Sequence, residues 1–179
     1  GPLETFGYYL ITFTAGHDTT KNALVGGMHA LIENPDEFAK LRRDPGLVNA
    51  AVEEVVRWAT PVNYMRRRAA CDTEMGGRRI RKDDWLILFY ASGNRDEDVF
   101  DDPFRFRVDR APNPHVGFGY GEHFCLGSHL ARRSQRALFA ELARRLEHVE
   151  LAGEPEWIKS SFVVGLKHLP IRYRIARGA

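Results

Sequence analysis

The chain has 179 residues, enough for one domain with a real core. Its hydrophobic fraction of 44% and charged fraction of 28% are ordinary for a soluble globular protein, and a net charge of +2 carries no nucleic-acid or membrane footprint. Two cysteines argue against a disulfide framework and fit a reducing, cytoplasmic compartment; no signal-peptide pattern opens the chain and no apolar run can span a bilayer.

One partial domain, 1–179, is expected, with Gly1-Pro2 in the form of a tag remnant. From about Glu4 to Asn34 the chain reads as one long helix, with Phe6, Tyr9, Leu10, Phe13 and Leu24, Met28, Leu31 at helical spacing. Apolar residues occupy almost every face of its first half, which predicts a central, buried helix. Asn34 is expected to cap a second helix that opens on Pro35 and stops before Pro45. A third runs from about Leu47 to Trp58 and ends before Pro61. Asn63 to Ala70 reads as a strand, Gly76-Gly77 as a hairpin turn followed by Arg78 to Ile80, and Trp85 to Tyr90 as an apolar strand. Asp96 to Glu122 is irregular, and so long a structureless segment tends to be functional. A helix follows Cys125 to about Leu146, with Leu126, Leu130, Leu138, Leu142 and Leu146 in an i, i+4 stripe. Alternation of Ile171, Tyr173 and Ile175 with arginines marks a final strand.

The residues Phe118 to Gly127 carry the chemistry. Cys125 stands between Gly121 and Gly127, with Phe118 seven residues before it. Gly121 permits a tight turn, and Gly127 lets another surface approach the backbone. A cysteine at a helix start faces free N–H groups and the positive end of the dipole, which favour the thiolate. Phe118 is placed to cover the sulfur and His123 to donate to an anionic group. A buried cysteine is usually a small hydrophobe. A zinc site from His123, Cys125 and His129 lacks the paired ligands that zinc prefers.

The run F-x-x-G-x-H-x-C-x-G resembles the haem-binding loop of the cytochrome P-450 superfamily. The resemblance implies a mainly α fold with small β-sheets and haem b held by the Cys125 thiolate. Phe118, Gly119, His123, Leu126, Gly127 and Ala131 then lie against the cofactor. Thiolate ligation of haem favours O–O cleavage.

Three further motifs follow in the family's order. Ala15-Gly16-His17-Asp18-Thr19-Thr20 interrupts the apolar pattern of the first helix. Burying Asp18 without a partner is costly. A Thr19 hydroxyl turned onto the carbonyl four residues back is expected to open the helix locally into a small groove. The segment resembles the family's acid–alcohol pair, which implies Asp18 as proton relay, Thr19 as hydrogen-bond donor to bound oxygen, and Ala15 and Gly16 against the haem. Glu54 and Arg57 lie at i, i+3 and can pair on one helix face. The resemblance makes them a buried structural pair tied to the irregular segment, with Arg107 and Arg110 as candidate partners. Arg66, Arg67 and Arg68 read as a solvated strand edge or, by resemblance, as supplying a haem-propionate ligand, with Arg67 favoured and Arg66 the alternative. Val62, Asn63 and Val163 would line the distal substrate pocket, or serve as ordinary core.

The resemblance covers nearly the whole chain but lacks the family's N-terminal half. The chain is therefore expected to be the C-terminal half of a soluble bacterial-type monooxygenase. Its partners would be that missing half or a second copy, a ferredoxin or reductase fed by NAD(P)H, and a small apolar substrate. The alternative is a non-catalytic haem-binding or partner-recruiting module. Neither a nucleic-acid partner nor a membrane span is expected.

Overall fold

The computed structural model describes residues 1–176. It is mainly helical, with four small two-stranded antiparallel sheets. Helix α1 spans Pro2–Glu33, α2 Pro35–Arg43 and α3 Val48–Ala59. Strands β1 Tyr64–Arg68 and β4 Trp85–Phe89 pair with each other, as do β2 Thr73–Met75 and β3 Arg78–Ile80. The β2–β3 turn is Gly76-Gly77, both at positive φ (56° and 72°), which an Asn or Gly pair adopts readily. A short helix α4, Tyr90–Gly93, follows β4, and α5 spans Ser128–Arg145. Strand β5 Leu146–Leu151 pairs with β8 Ile171–Ile175, and β6 Glu156–Trp157 with β7 Leu166–His168.

The core lies where the C-terminal half of α1 meets α3 and α5. Met28, Leu31, Phe38, Val52, Val55 and Phe139 are at its centre. Two glycines let α1 approach closely. A Cβ at Gly26 would come within 2.9 Å of the Ala59 Cβ, and one at Gly27 within 2.6 Å of the Phe139 ring.

Four expectations are corrected here. The first half of α1 is exposed rather than buried: Leu3, Phe6, Tyr9, Leu10 and Phe13 all face solvent. A helix apolar on every face needs neighbours on every side to be buried, and among the described residues no element packs on this half. The helix also runs unbroken through Ala15–Thr20, because a hydroxyl bonded to the i−4 carbonyl fits inside the helical ladder. Asn34 stands at the start of α2, but its side chain does not cap it; the amide donates back to the Ala30 carbonyl at 2.8 Å and closes α1 instead. Tyr90 leaves the strand and opens α4, because its N–H turns to the Asn63 carbonyl at 2.9 Å.

The segment between α4 and α5 has almost no regular structure, yet it buries Phe106 and Val108 completely. Buried backbone groups need partners, and here side chains supply them. Glu54 accepts from the Arg107 N–H (2.8 Å) and Glu37 from the Val108 N–H (2.9 Å). Arg57 donates to the carbonyls of Asn94 and Pro103 (both 2.8 Å), and Arg110 to those of Asp101 (2.6 Å) and Arg105 (2.8 Å).

Candidate functional site

The cysteine loop is a compact reversal held by its own backbone. Gly119 and Gly121 take positive φ (75° and 69°), and the Gly119 N–H bonds the Val116 carbonyl at 2.8 Å. A 3-10 turn at Gly121–His123 then brings the Cys125 N–H onto the Phe118 carbonyl at 2.9 Å. Helix α5 starts three residues after Cys125, at Ser128, whose N–H bonds the Cys125 carbonyl at 3.2 Å. Cys125 is a free, half-buried thiol. A Cβ at Gly127 would have only the Cys125 Sγ within 4 Å, at 4.0 Å, so the backbone there is open to a ligand. Leu126 is 87% exposed, His123 is exposed, and Ala131 is half-buried. The leucine stripe of α5 coincides with the buried face only at its C-terminal end, where Leu142 packs on the core and Leu146 is buried. Leu126 and Leu130 face solvent, whereas Gln135, Phe139 and Ala143 are inside.

Behind the loop, Glu54 and Arg57 are both 0% exposed and form a doubly hydrogen-bonded pair. Of the two candidate partners, Arg110 adds its side chain, with Nε at 3.1 Å from Glu54 Oε2. Arg107 reaches Glu54 only through its backbone N–H; its side chain turns to Asp109 at 3.5 Å. The Asn113 amide also donates to Glu54 at 3.1 Å.

A second, partly buried cluster carries no motif. Glu53 accepts from Arg132 Nε and Nη2, both at 2.7 Å, and from His115 Nε2 at 3.0 Å. The Gly117 N–H donates to His115 Nδ1 at 3.2 Å, which places the ring proton on Nε2. Burial would raise the Glu53 carboxyl, but the hydrogen bonds from His115 and Arg132 and the Arg132 charge outweigh it and bring the pKa to about 2. The Arg132 Cζ lies 4.4 Å from the centroid of the Phe118 ring. Glu53 stands beside the motif residue Glu54 and its partners lie 62 and 79 residues away, so no local pattern marks it.

On α1, the Thr19 hydroxyl donates to the Ala15 carbonyl at 2.5 Å. Asp18 is exposed rather than buried; it pairs with Lys21 at 2.9 Å and meets His17 at 3.2 Å. The hydrogen bond from Lys21 and its charge hold the Asp18 carboxyl below the usual range. Nothing lies within 4 Å of a Cβ built at Gly16. One turn further on, Asn22 is buried against Gly165, where a Cβ would meet the Asn22 Cγ at 2.4 Å. The 162–165 loop is thereby seated beside the helix turn that follows Thr19. Val62 and Val163 form an antiparallel bridge, and the Asn63 N–H bonds the Phe162 carbonyl at 2.9 Å. The structure thus brings Val62, Asn63 and Val163 together. In the arginine triplet, Arg66 stacks on Trp85 (3.8 Å) and Arg68 pairs with Asp83 (2.9 Å). Arg67 points to the other face of β1, bonds only the Arg66 carbonyl (2.9 Å), and has no carboxylate partner among the described residues.

Fold and loop together define a mainly helical protein with a glycine-turned cysteine loop ahead of its last long helix, and comparison with known proteins names the family. Residues 46–175 match the family model described as Cytochrome P-450, and the chain belongs to that family. It is 45% identical over 166 residues to cytochrome P-450-terp of Pseudomonas sp, covering 93% of this chain and 39% of that protein. It is 44% identical over 172 residues to the methyl-branched lipid omega-hydroxylase of Mycobacterium tuberculosis, covering 95% of this chain and 40% of that protein. The crystal structure of CYP108D1 from Novosphingobium aromaticivorans superposes with a TM-score of 0.89 at 46% identity, covering 95% of this chain and 41% of that one. The chain therefore spans about two-fifths of the length of the relatives it matches. Among the described residues, no helix is long and apolar enough to cross a membrane.

Proposed function

We propose that the chain is the C-terminal, haem-binding portion of a haem-thiolate monooxygenase that inserts one oxygen atom of O2 into a C–H bond of a small apolar substrate. The observation that carries this reading is Cys125: a free, half-buried thiol on a glycine-turned loop whose backbone is open at Gly127. The residues present fit haem b. Cys125 would ligate the iron. Phe118, Gly119, His123, Leu126, Gly127 and Ala131 would flank it on the thiolate side, and Ala15 and Gly16 on the other. Arg67, with no carboxylate of its own, would meet a propionate. When bound, haem supplies oxygen activation, and the thiolate favours O–O cleavage.

The chain's own groups then have distinct tasks. Asp18 relays protons from solvent, to which it is exposed, and its pairing with Lys21 holds the carboxylate in place. Thr19 holds a hydroxyl at the same turn. Val62, Asn63 and Val163 shape the substrate side, while Glu54 and Arg57 hold the irregular segment in place. Electrons would come from NAD(P)H through a ferredoxin or reductase in the cytoplasm. The lipid hydroxylase among the relatives supports an apolar substrate class.

Cys125→Ser tests the reading. The ferrous–carbonyl spectrum of the haem-loaded protein should lose its thiolate-type band; an unchanged band overturns the assignment.

A second reading, a haem-binding or partner-recruiting module without turnover of its own, is favoured by the exposed apolar first half of α1. Thiolate-type haem with no NAD(P)H-dependent product from chain and electron donor together would select it.

A further inference from the structure

We propose that Glu53, His115 and Arg132 are positioning residues that fix the Phe118 ring and, through it, the surroundings of the Cys125 sulfur; this rests on the haem-thiolate reading above. The three come from three separate elements: Glu53 from α3, His115 from the approach to the loop, and Arg132 from α5. Arg132 uses Nε and Nη2, one edge of its guanidinium, for both oxygens of Glu53. Such a fork fixes the plane of the group as well as its place. That plane carries the Cζ to 4.4 Å from the Phe118 centroid, a distance at which a cation is attracted to a ring.

His115 borders the same ring. Its Nδ1 and Nε2 are both engaged, so the imidazole cannot rotate freely, and its centroid is 5.8 Å from that of Phe118. Phe124 closes a further side at 6.3 Å. Phe118 is thus held by groups that are themselves locked. The Phe118 carbonyl carries the Cys125 N–H, so ring and sulfur share one rigid segment. Groups around a metal-bound sulfur that admit or exclude water and hydrogen bonds tune the metal. The trio therefore acts on the sulfur indirectly, by denying the Phe118 ring alternative positions.

A purely structural clamp between α3 and α5 would satisfy the same distances, so the test separates the two. Arg132→Lys keeps the charge opposite Glu53 but gives up the planar fork over the ring. In haem-loaded protein, Arg132→Lys should shift the reduction potential while leaving the urea midpoint nearly unchanged. In a Phe118→Leu background the same substitution should give no further shift. Additive shifts in the double variant would overturn the proposal. In the haem-free chain, aromatic NMR should show the Phe118 ring flipping about tenfold faster in Arg132→Lys. Glu53→Gln should do the same if Arg132→Lys fails to fold. An unchanged flip rate also overturns it. If the unmodified protein itself lacks a thiolate-type carbonyl band, the haem-thiolate reading fails instead, and the ring-flip rates still decide whether the trio positions Phe118.

Discussion

Arg57 spends all five of its N–H donors, and two of them reach Glu54, at 2.7 and 2.8 Å. The other three go to the carbonyls of Asn94, Pro103 and Arg105. Burying two charges costs several kcal/mol each, and their attraction offsets this only when the remaining donors and acceptors are also satisfied. Here they are: Glu54 takes further bonds from Arg107, Arg110 and Asn113. The pair therefore organises a segment that has no regular backbone pairing of its own.

Removing Arg57 as Arg57→Ala leaves the Asn94 and Pro103 carbonyls without this donor, while that of Arg105 keeps Arg110 at 2.8 Å, and leaves Glu54 short of its main partner. Breaking a buried pair in this way costs about 3–5 kcal/mol, a large share of the 5–15 kcal/mol typical of a domain. Urea denaturation should show a loss of that size, with poor soluble yield. The exposed pair Arg144–Glu141 is the contrast; Arg144→Ala should cost about 0–1 kcal/mol. Comparable losses in both variants would sink the argument.

The helices and the cysteine loop were legible in the sequence because their signals are local. Pro35 and Pro45 mark helix boundaries. Residues 118–127 are contiguous, so their glycines and cysteine could be read together. What stayed hidden is long-range. The sequence could not show which half of α1 is covered, since Phe6 and Met28 look alike in a helical pattern. Glu53 has the same chemistry as Glu54, and its partners His115 and Arg132 are remote in the chain. Strand β5 grows directly out of α5 without a glycine or proline to announce the change, and β6 is two residues long.

Gly27→Ala sets two effects against each other. Alanine favours a helix interior by about 1 kcal/mol over glycine. At this position, however, the new Cβ would meet the Phe139 ring at 2.6 Å and both Val55 methyls at 2.7 and 2.8 Å. Overpacking a filled core costs about 1–3 kcal/mol, and Val55 is β-branched and stiff, so the clash should win. A net loss in urea midpoint is expected. Gly16→Ala, in open space on the same helix, should instead gain stability. Stabilisation by both changes would show that α1 and α3 do not approach as described.

Glu53 gives a pH signature. Its carboxyl falls from 4.5 to about 2 on folding, so the folded state holds the charged form more tightly than the unfolded one. Its contribution is complete above about pH 4.5 and drains away as the pH falls towards 2. Glu53→Gln should therefore flatten the acid limb of the stability curve in that window, while lowering stability near neutrality. The check is the urea midpoint of both proteins at about pH 5 and about pH 3. An acid limb of unchanged steepness would mean that Glu53 is not held by His115 and Arg132.

The last expectation concerns Thr19. Its hydroxyl already has a partner, the Ala15 carbonyl at 2.5 Å, so Thr19→Ala should leave helix and haem binding intact. What it removes is the one hydroxyl that the proposed mechanism needs beside Asp18. NAD(P)H should still be consumed with the electron donor present, but the reduced oxygen should leave as hydrogen peroxide and the share appearing as product should collapse. Asp18→Asn should act differently, slowing turnover by about 100-fold, the lower range for loss of a general acid–base group. Its solvent isotope effect should rise as proton delivery becomes limiting. Thr19→Ala protein that still couples NAD(P)H use to product would show that this hydroxyl merely closes a helix turn.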